Sequence, residues 1–551
     1  MRKVANFSVY GYPVYCIPAI KKLFFFFMGG DKKFFIKIGI FIFLLLWVGF
    51  LYARKINLAT ADLGRHLENG RWVVENDFNL FEKNSPLHEN YYSFTNPDFP
   101  VVNHHWGSGV AFHYIWKFFG FSGLSLFYIL LSLAAFAVFF RIASRESNFT
   151  LAALFAFFLA PLMAERTEIR PEVFSVIFSA IFLFLLWKYS EGKMNWRGLF
   201  FLIPLQIVWV NSHVYFFLGL FLIGTFWFSE IAQIIFQKLT DEEFTKKIKK
   251  IKILAIVLFS TCLASLVNPF GIRGLLYPLK IFKNYGYTIV ENKSVRFVEN
   301  YGVMNPNFSL IKSVLILLAL SFVLLFFVNR KKISLVYFIF SIFFGVLGWV
   351  AIRNFTLLGF FALPALAYNF QAVFGQKKGE INIAKENGIA VLYIILAVVG
   401  LWCNFEYVSF HSEKIGTGLL PGVTQAAEFF RKENIQGPVF NNYDIGGYLI
   451  FYLPKSEKVF VDNRPEAYPD SFFGEVYKPM QENADIFEKI DRVYDFNAVF
   501  FYSHDITPWG MNLPKIIQEN PDWAKIYGDD YAVIYLKRNE ANKATIDKYP
   551  N

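Results

Sequence analysis

The sequence predicts a polytopic α-helical membrane protein of about eleven spans with a C-terminal extracytoplasmic α/β domain. Three observations predict it. The 551 residues are 55% hydrophobic and only 18% charged, with 69 phenylalanines, which excludes disordered, fibrous and wholly soluble chains. Apolar runs of about 20 residues, each enough to cross a roughly 30 Å hydrocarbon core as helix, recur as far as residue 404 and then stop. Charge divides at the same point: residues 405–551 carry 15 Lys+Arg against 22 Asp+Glu, and residues 1–404 carry 39 against 21.

The basic excess therefore belongs to the membrane part. Its lysines flank apolar runs and do not interleave with exposed aromatics, so loop anchoring explains them and nucleic acid is not expected as a partner. The three cysteines, Cys16, Cys262 and Cys403, lie far apart, which leaves no disulfide framework and no CxxC metal knuckle.

Residues 1–34 read as a cytoplasmic N-terminal segment, followed by a transmembrane domain over 35–404. The first apolar run begins after about thirty residues and lacks an Ala-x-Ala ending, so it reads as an uncleaved span, with Met28 as an alternative start. Spans are expected at 35–52, 122–140, 149–163, 172–188, 198–211, 213–235, 251–268, 309–328, 333–350, 354–373 and 388–404. Loops on one side are basic: the N-terminus through Lys37, Arg141 with Arg145, Lys188 with Arg197, Lys238 to Lys252, Arg330 to Lys332 and Lys377 to Lys385. These are assigned to the cytoplasm. The outer side of what is expected to be the plasma membrane then receives the loop 53–121, the turns at Glu165–Arg170, Asn211–His213 and Arg353, the segment 269–308 and residues 405–551.

Under that topology all eight histidines fall outside spans or at their outer ends. Together with Asp62, Glu165, Arg170, Glu172, Asn211 and Arg353 they point to chemistry on the outer face, because ionisable groups at membrane depth are costly. The segment Thr60 to Val74 reads as an amphipathic interfacial helix in which Asp62 and His66, four residues apart, share a face while Leu63, Leu67 and Trp72 meet lipid or other helices. The plain alternative is that Asp62 caps this helix and His66 sits in water.

These residues fit a wider pattern: Asp62-Leu-Gly-Arg-His66, Tyr92-Ser-Phe-Thr95, His104-His105-Trp106 before Gly120-Phe-Ser-Gly123, Arg170-Pro-Glu172, Trp209-Val-Asn211-Ser-His213, Asn268-Pro-Phe-Gly271 and Arg353-Asn354. With Gly446-Gly447 and Asp462-Asn463-Arg464 near the C-terminus, the chain resembles, over nearly its whole length, bacterial polytopic proteins of the GT-C glycosyltransferase superfamily. That superfamily includes protein mannosyltransferases and lipid A aminoarabinose transferases. One departure is His105, where the pattern commonly has Glu; it weakens the case for a second carboxylate beside Asp62.

The resemblance implies transfer of a sugar, on the outer face, from a polyprenyl-phosphate-linked donor to a glycan, lipid or protein acceptor. Inverting transfer needs a carboxylate to take the acceptor proton and cations to stabilise the departing phosphate. Asp62 with His66 fits the base, and Arg353 and Arg170 fit the phosphate through planar paired donors. The alternative for both arginines is an interfacial anchor or an ion pair to Glu172 or Glu168. His104, His105, Trp106, Glu172, Asn211 and His213 are candidates for sugar or acceptor contact, with packing between spans as the competing account. No cofactor is implied, although a divalent metal stays open; a zinc set of Asp62, His66, His104 and His213 would have to be assembled by the fold.

From Gly437 onward the pattern changes to short strands at Val439–Asn441, Lys458–Asp462, Ala498–Tyr502 and Tyr531–Tyr535, with helix at Gly447–Tyr452 and within Phe472–Val493. Gly446-Gly447 reads as a docking module or a tight turn, and Asp462, Arg464 and Glu466 as a polar cluster open to an acceptor or partner. The competing functions are a non-catalytic scaffold or lipid-linked glycan transporter with an outer glycan-binding domain, and an inactive assembly subunit. Against transport, the charges gather at one rim and no repeated halves are visible.

Overall fold

The computed structural model describes residues 32–550 except 237–239, 281–282, 284 and 376–382. Cys16, Met28, most of the basic N-terminal segment, Lys238 and Lys377 to Lys378 lie outside the described residues. Each of the eleven apolar segments falls in a helix, and among the described residues seven helices are long and apolar enough to cross a membrane: Lys33–Tyr52, Trp106–Glu146, Glu172–Ser190, Val214–Phe236, Asn307–Lys332, Ile352–Phe374 and Asn387–Phe410.

The other four segments differ for stated reasons. Phe149–Met163, Trp196–Val210 and Leu335–Val350 are apolar but shorter than the roughly 20 residues of a typical span. The helix Asp241–Ala264 is charged at its start, where Thr240 and Glu243 form a reciprocal capping box, so its apolar part is short. The 41-residue helix Trp106–Glu146 is two helices joined at Gly120, whose φ of 64° breaks the ladder; glycine tolerates that conformation.

Helix Phe355–Phe374 lies at the centre of the bundle and is buried over almost its whole length. Gly359 lets it approach Phe149–Met163 so closely that an added Cβ would stand 3.0 Å from the Met163 backbone nitrogen. Polar side chains tie neighbouring helices together: Trp47 Nε1 donates to Asn404 Oδ1 at 2.6 Å, and Asn404 Nδ2 donates to the Phe157 carbonyl at 2.9 Å.

The C-terminal part carries one four-stranded mixed sheet in the order β1-β2-β4-β3: β1 Val439–Asn441, β2 Ala498–Tyr502, β3 Trp523–Gly528 and β4 Ala532–Lys537. β1 and β2 are parallel, which requires the helical crossover between them; β2–β4 and β3–β4 are antiparallel. The strand expected at Lys458–Asp462 does not form. Val459 makes only single bridges, to Ser93 and Val439, because side chains take the backbone groups around it. Phe460 N–H donates to Asn441 Oδ1, Asp462 N–H to the Tyr468 hydroxyl, and the Phe460 carbonyl accepts from Ser93 and Thr95. The Tyr-Ser-Phe-Thr motif thus ties the first loop to the C-terminal domain.

The helix expected to lie along the interface, Leu63–Glu75, is instead buried: Leu63, Arg65, His66, Leu67 and Glu68 are all covered. Glycines allow this. Gly70 meets the Gly109 backbone, and Gly64 meets that of Gly447 in the helix Gly446–Tyr452. Arg464 is buried, ion-paired to the fully buried Asp462 at 2.6 Å and donating to Asn90 Oδ1 at 2.9 Å. The expected acceptor cluster at Asp462 and Arg464 is therefore an internal joint, and Gly446-Gly447 is a docking contact within the chain.

Candidate active site

Helix Leu63–Glu75, the turn 164–171, the turn Val290–Asn292, the turn Ile352–Asn354 and the C-terminal domain meet at one end of the bundle. Asp62 stands at the helix N-terminus, yet its side chain makes no cap hydrogen bond. Its Oδ2 lies 3.3 Å from Arg170 Nη1, with about a fifth of the side chain exposed (21%). Arg170 also pairs with Glu168 at 2.8 Å and Glu291 at 3.2 Å. Arg166 pairs with Glu291 and Glu172, each at 3.0 Å, and Arg353 pairs with Glu172 at 2.7 Å and donates to Asn292 Oδ1 at 2.8 Å.

Three guanidinium groups and four carboxylates thus form one continuous network. Glu172 opens helix Glu172–Ser190, where the N-terminal dipole favours its charge. The ion pairs at Arg170 and Arg353 are those offered as the alternative to phosphate binding, and Arg353 is not the isolated charge its sequence neighbours suggest. Hydrogen-bonding capacity is not exhausted: the buried Nε donors of Arg166 and Arg353 and the Oε2 acceptor of Glu172 have no protein partner. All three residues line a small cavity with Tyr52, Tyr128 and Tyr215.

Burial raises the Asp62 carboxyl above the ordinary carboxylate value, and Arg170 and Arg65 pull it back only in part. Burial also opposes ionisation of Glu291, but Arg166 and Arg170 outweigh it and hold that carboxyl down to about 2. Asp444, from the C-terminal domain, is pushed up to about 7 by burial and by the charges of Asp505 and Asp62.

The histidines are assembled by the fold. Ring centroids of His66 and His105 are 5.4 Å apart, those of His104 and His105 3.7 Å, and those of His105 and His213 5.4 Å. The adjacent His104 and His105, which could not share a helix or strand face, come together because they lie in a turn. Burial keeps all four neutral, with His104 and His213 down to about 3. Ser175 Oγ accepts from Trp209 Nε1 at 2.7 Å and bonds His213 Nδ1 at 2.7 Å, which fixes that ring. Asn211 and Trp106 pair with each other at 2.9 Å, and Asn211 also donates to the Ile207 and Val267 carbonyls at 2.8 Å, so both join helices. Among the described residues no group of three or more His, Cys, Asp or Glu is arranged to hold a metal ion; in the zinc set, Asp62 turns to Arg170 instead.

Sequence reading missed Arg166, Glu291 and Asp444. Arg166 stood in a turn already noted for Arg170, but nothing in spacing separates Glu291 or Asp444 from ordinary loop acids.

No family model matches the chain, and no curated protein matches it. Among solved structures the chain is similar to the apo oligosaccharyltransferase of Archaeoglobus fulgidus, with a TM-score of 0.57 at 12% identity, covering 92% of this chain and 75% of that one. It is similar also to the archaeal oligosaccharyltransferase AglB from Archaeoglobus fulgidus in complex with an inhibitory peptide and a dolichol-phosphate, with a TM-score of 0.56, 12% identity and the same coverages, 92% and 75%. The fold is GT-C-like. A looser likeness, with a TM-score of 0.49 at 13% identity over 90% of this chain and 97% of that one, is found to ArnT from Cupriavidus metallidurans bound to undecaprenyl phosphate. At such identities the similarity is one of architecture: a multi-pass helical membrane protein with the arrangement of GT-C membrane glycosyltransferases and a small mixed sheet.

Proposed function

We propose that this protein is an inverting membrane glycosyltransferase that moves a sugar from a polyprenyl-phosphate-linked donor to an acceptor at the sheet-bearing end of the bundle. The observation that carries the proposal is the pairing of a partly open, poorly solvated carboxylate, Asp62, with a network of three guanidinium groups. The GT-C-like fold supports a lipid-linked donor, and the dolichol-phosphate in the AglB complex is in keeping with it.

Asp62 takes the proton of the acceptor hydroxyl or amide as that atom attacks the anomeric carbon. The bond from that carbon to the phosphate oxygen breaks, and Arg170 and Arg353 stabilise the charge left on the phosphate. A raised carboxyl is the stronger base, which suits Asp62 to the task. His66, on the same helix, packs against His105 and keeps the wall beside Asp62 neutral. Asp444, from the C-terminal domain, lies close enough to feel the charge of Asp62. The guanidinium groups already neutralise the carboxylates here, so a divalent ion at Asp62, Glu168 and Glu291 would have to displace Arg170.

The basic loops support a cytoplasmic N-terminus, an outer sheet domain and eleven crossings in the plasma membrane, the shorter helices included. The test is mass spectrometry of glycolipids and glycoproteins from cells with and without the protein, followed by turnover of polyprenyl-phosphate sugars by purified protein. Intact donor in both assays would favour the second reading, a non-catalytic glycan-binding scaffold. The internal pairing of all three arginines is the observation in that reading's favour.

A further inference from the structure

The end of the bundle opposite the active site carries a second pocket, with aromatic walls and a rim of cations. It encloses about 230 Å³ and is lined by Arg141, Arg145, Phe184, Trp187, Lys188 and Lys193. Arg141 and Arg145 are one helical turn apart at the C-terminal end of Trp106–Glu146 and share a face. Phe184, Trp187 and Lys188 close the end of Glu172–Ser190, and Lys193 reaches in from the following turn.

The cations have few carboxylates to answer them. Glu191 pairs with Lys193 at 3.3 Å, and Glu146 accepts a hydrogen bond from Trp187 Nε1. Lys188 lies 4.5 Å over the Phe184 ring and Lys193 4.8 Å over Trp187, held by the ring faces. Among the described residues, the guanidinium groups of Arg141 and Arg145 have neither an ion pair nor a hydrogen bond. Four cations around an aromatic-walled cavity form a receptor for an anion.

Depth decides which anion. Helix Glu172–Ser190 starts in the active-site network, and its 19 residues rise about 28 Å, close to the thickness of the hydrocarbon core. The pocket therefore lies at the far membrane interface, where phospholipid phosphates sit. At that depth Trp187 would stand at interfacial level, and the apolar walls of Phe184 and Trp187 are suited to the first carbons of an acyl chain.

We propose that this pocket binds the phosphodiester headgroup of an anionic phospholipid, with Arg141 and Arg145 as its paired donors and Lys188 and Lys193 as supporting charges. Binding anchors the far end of the two helices whose opposite ends build the active site.

The test uses the full-length protein in detergent with phosphatidylglycerol, phosphatidylcholine or glycerol phosphate added, read by native mass spectrometry. Wild type is expected to retain one phosphatidylglycerol in preference to phosphatidylcholine. Arg141→Gln with Arg145→Gln is expected to lower that affinity roughly thirtyfold, about fivefold per charge at an anionic surface. A charge-matched control, Arg330→Gln with Lys331→Gln in another basic turn, is expected to keep it. Thermal unfolding of each variant checks that it is folded, and should the arginine pair fail to fold, Lys193→Gln alone is expected to show a smaller loss. Equal retention of phosphatidylcholine, equal loss in the control variant, or glycerol phosphate bound as tightly as the lipid would each overturn the proposal.

Discussion

Arg170 Nη1 stands 3.3 Å from Asp62 Oδ2, although the two residues are 108 positions apart and each is near the end of a different helix. This contact places the candidate base beside the candidate phosphate-binding cation. It also explains why Asp62 forgoes the capping hydrogen bond that its position allows.

Asp62→Asn keeps size and most hydrogen bonding but cannot accept a proton. Turnover of a polyprenyl-phosphate sugar by the purified variant is expected to fall by about a hundredfold or more, with donor binding retained. A near wild-type rate would remove Asp62 from the mechanism.

Arg353 ties Glu172 to Asn292 and, in the proposed mechanism, also meets the donor phosphate. Arg353→Ala leaves the buried Glu172 with Arg166 as its remaining cation, and is expected to cost about 3 kcal/mol in detergent unfolding. Arg353→Lys keeps the charge without the planar fork, so it is expected to fold and to bind donor more weakly. Unchanged donor affinity in the lysine variant would show that Arg353 is structural only.

Much of this arrangement was legible in the sequence, and the reasons are physical. Hydrophobic runs are local signals, and each of the eleven became a helix. Asp62, Arg170, Glu172 and Arg353 were visible because charges at the ends of apolar runs are rare. Glu291 was not, since its value comes from Arg166 and Arg170, more than a hundred residues away, and no spacing rule reaches that far. The burial of helix Leu63–Glu75 was hidden for a similar reason: its polar residues suggest an interface, but Arg65 is met by Asn463 of the C-terminal domain. Lys458–Asp462 has the composition of a strand, yet neighbouring side chains outcompeted a strand partner.

Reporter fusions after Lys377 and after Lys537 check the orientation. The first is expected to report cytoplasm and the second the outer compartment, as the basic loops require. A cytoplasmic signal from the second would move the sheet and the candidate site to the inner face.

The buried histidines give a pH dependence with a defined sign. His213 titrates at about 3 in the folded protein against an ordinary value near 6.5. The unfolded chain therefore binds the extra proton throughout that interval, and the contribution to stability is full above about 6.5 and lost as pH falls toward 3. Unfolding midpoints of wild type are expected to drop across this window, and His213→Asn is expected to drop less steeply. Identical slopes would mean that the ring is already protonated in the folded protein.

Gly64→Ala separates positioning from simple stability. A Cβ at residue 64 would stand 2.3 Å from the Gly447 carbonyl oxygen and 3.1 Å from Phe451 Cβ. The nearer atom is backbone, so no side-chain rotation relieves the clash, and the two helices must part at a cost of about 1–3 kcal/mol. Asp62 is two residues away and would move with its helix, lengthening its contact with Arg170. Turnover is expected to fall severalfold at temperatures where the variant is still fully folded, with donor binding less affected, since the arginines sit on other elements. Gly39→Ala serves as the comparison because nothing lies within 4 Å of its added Cβ; it is expected to leave turnover unchanged and to keep stability or raise it by up to about 1 kcal/mol, since Ala is the better helix former. A folded Gly64→Ala protein with wild-type turnover would show that the C-terminal domain does not set the position of Asp62.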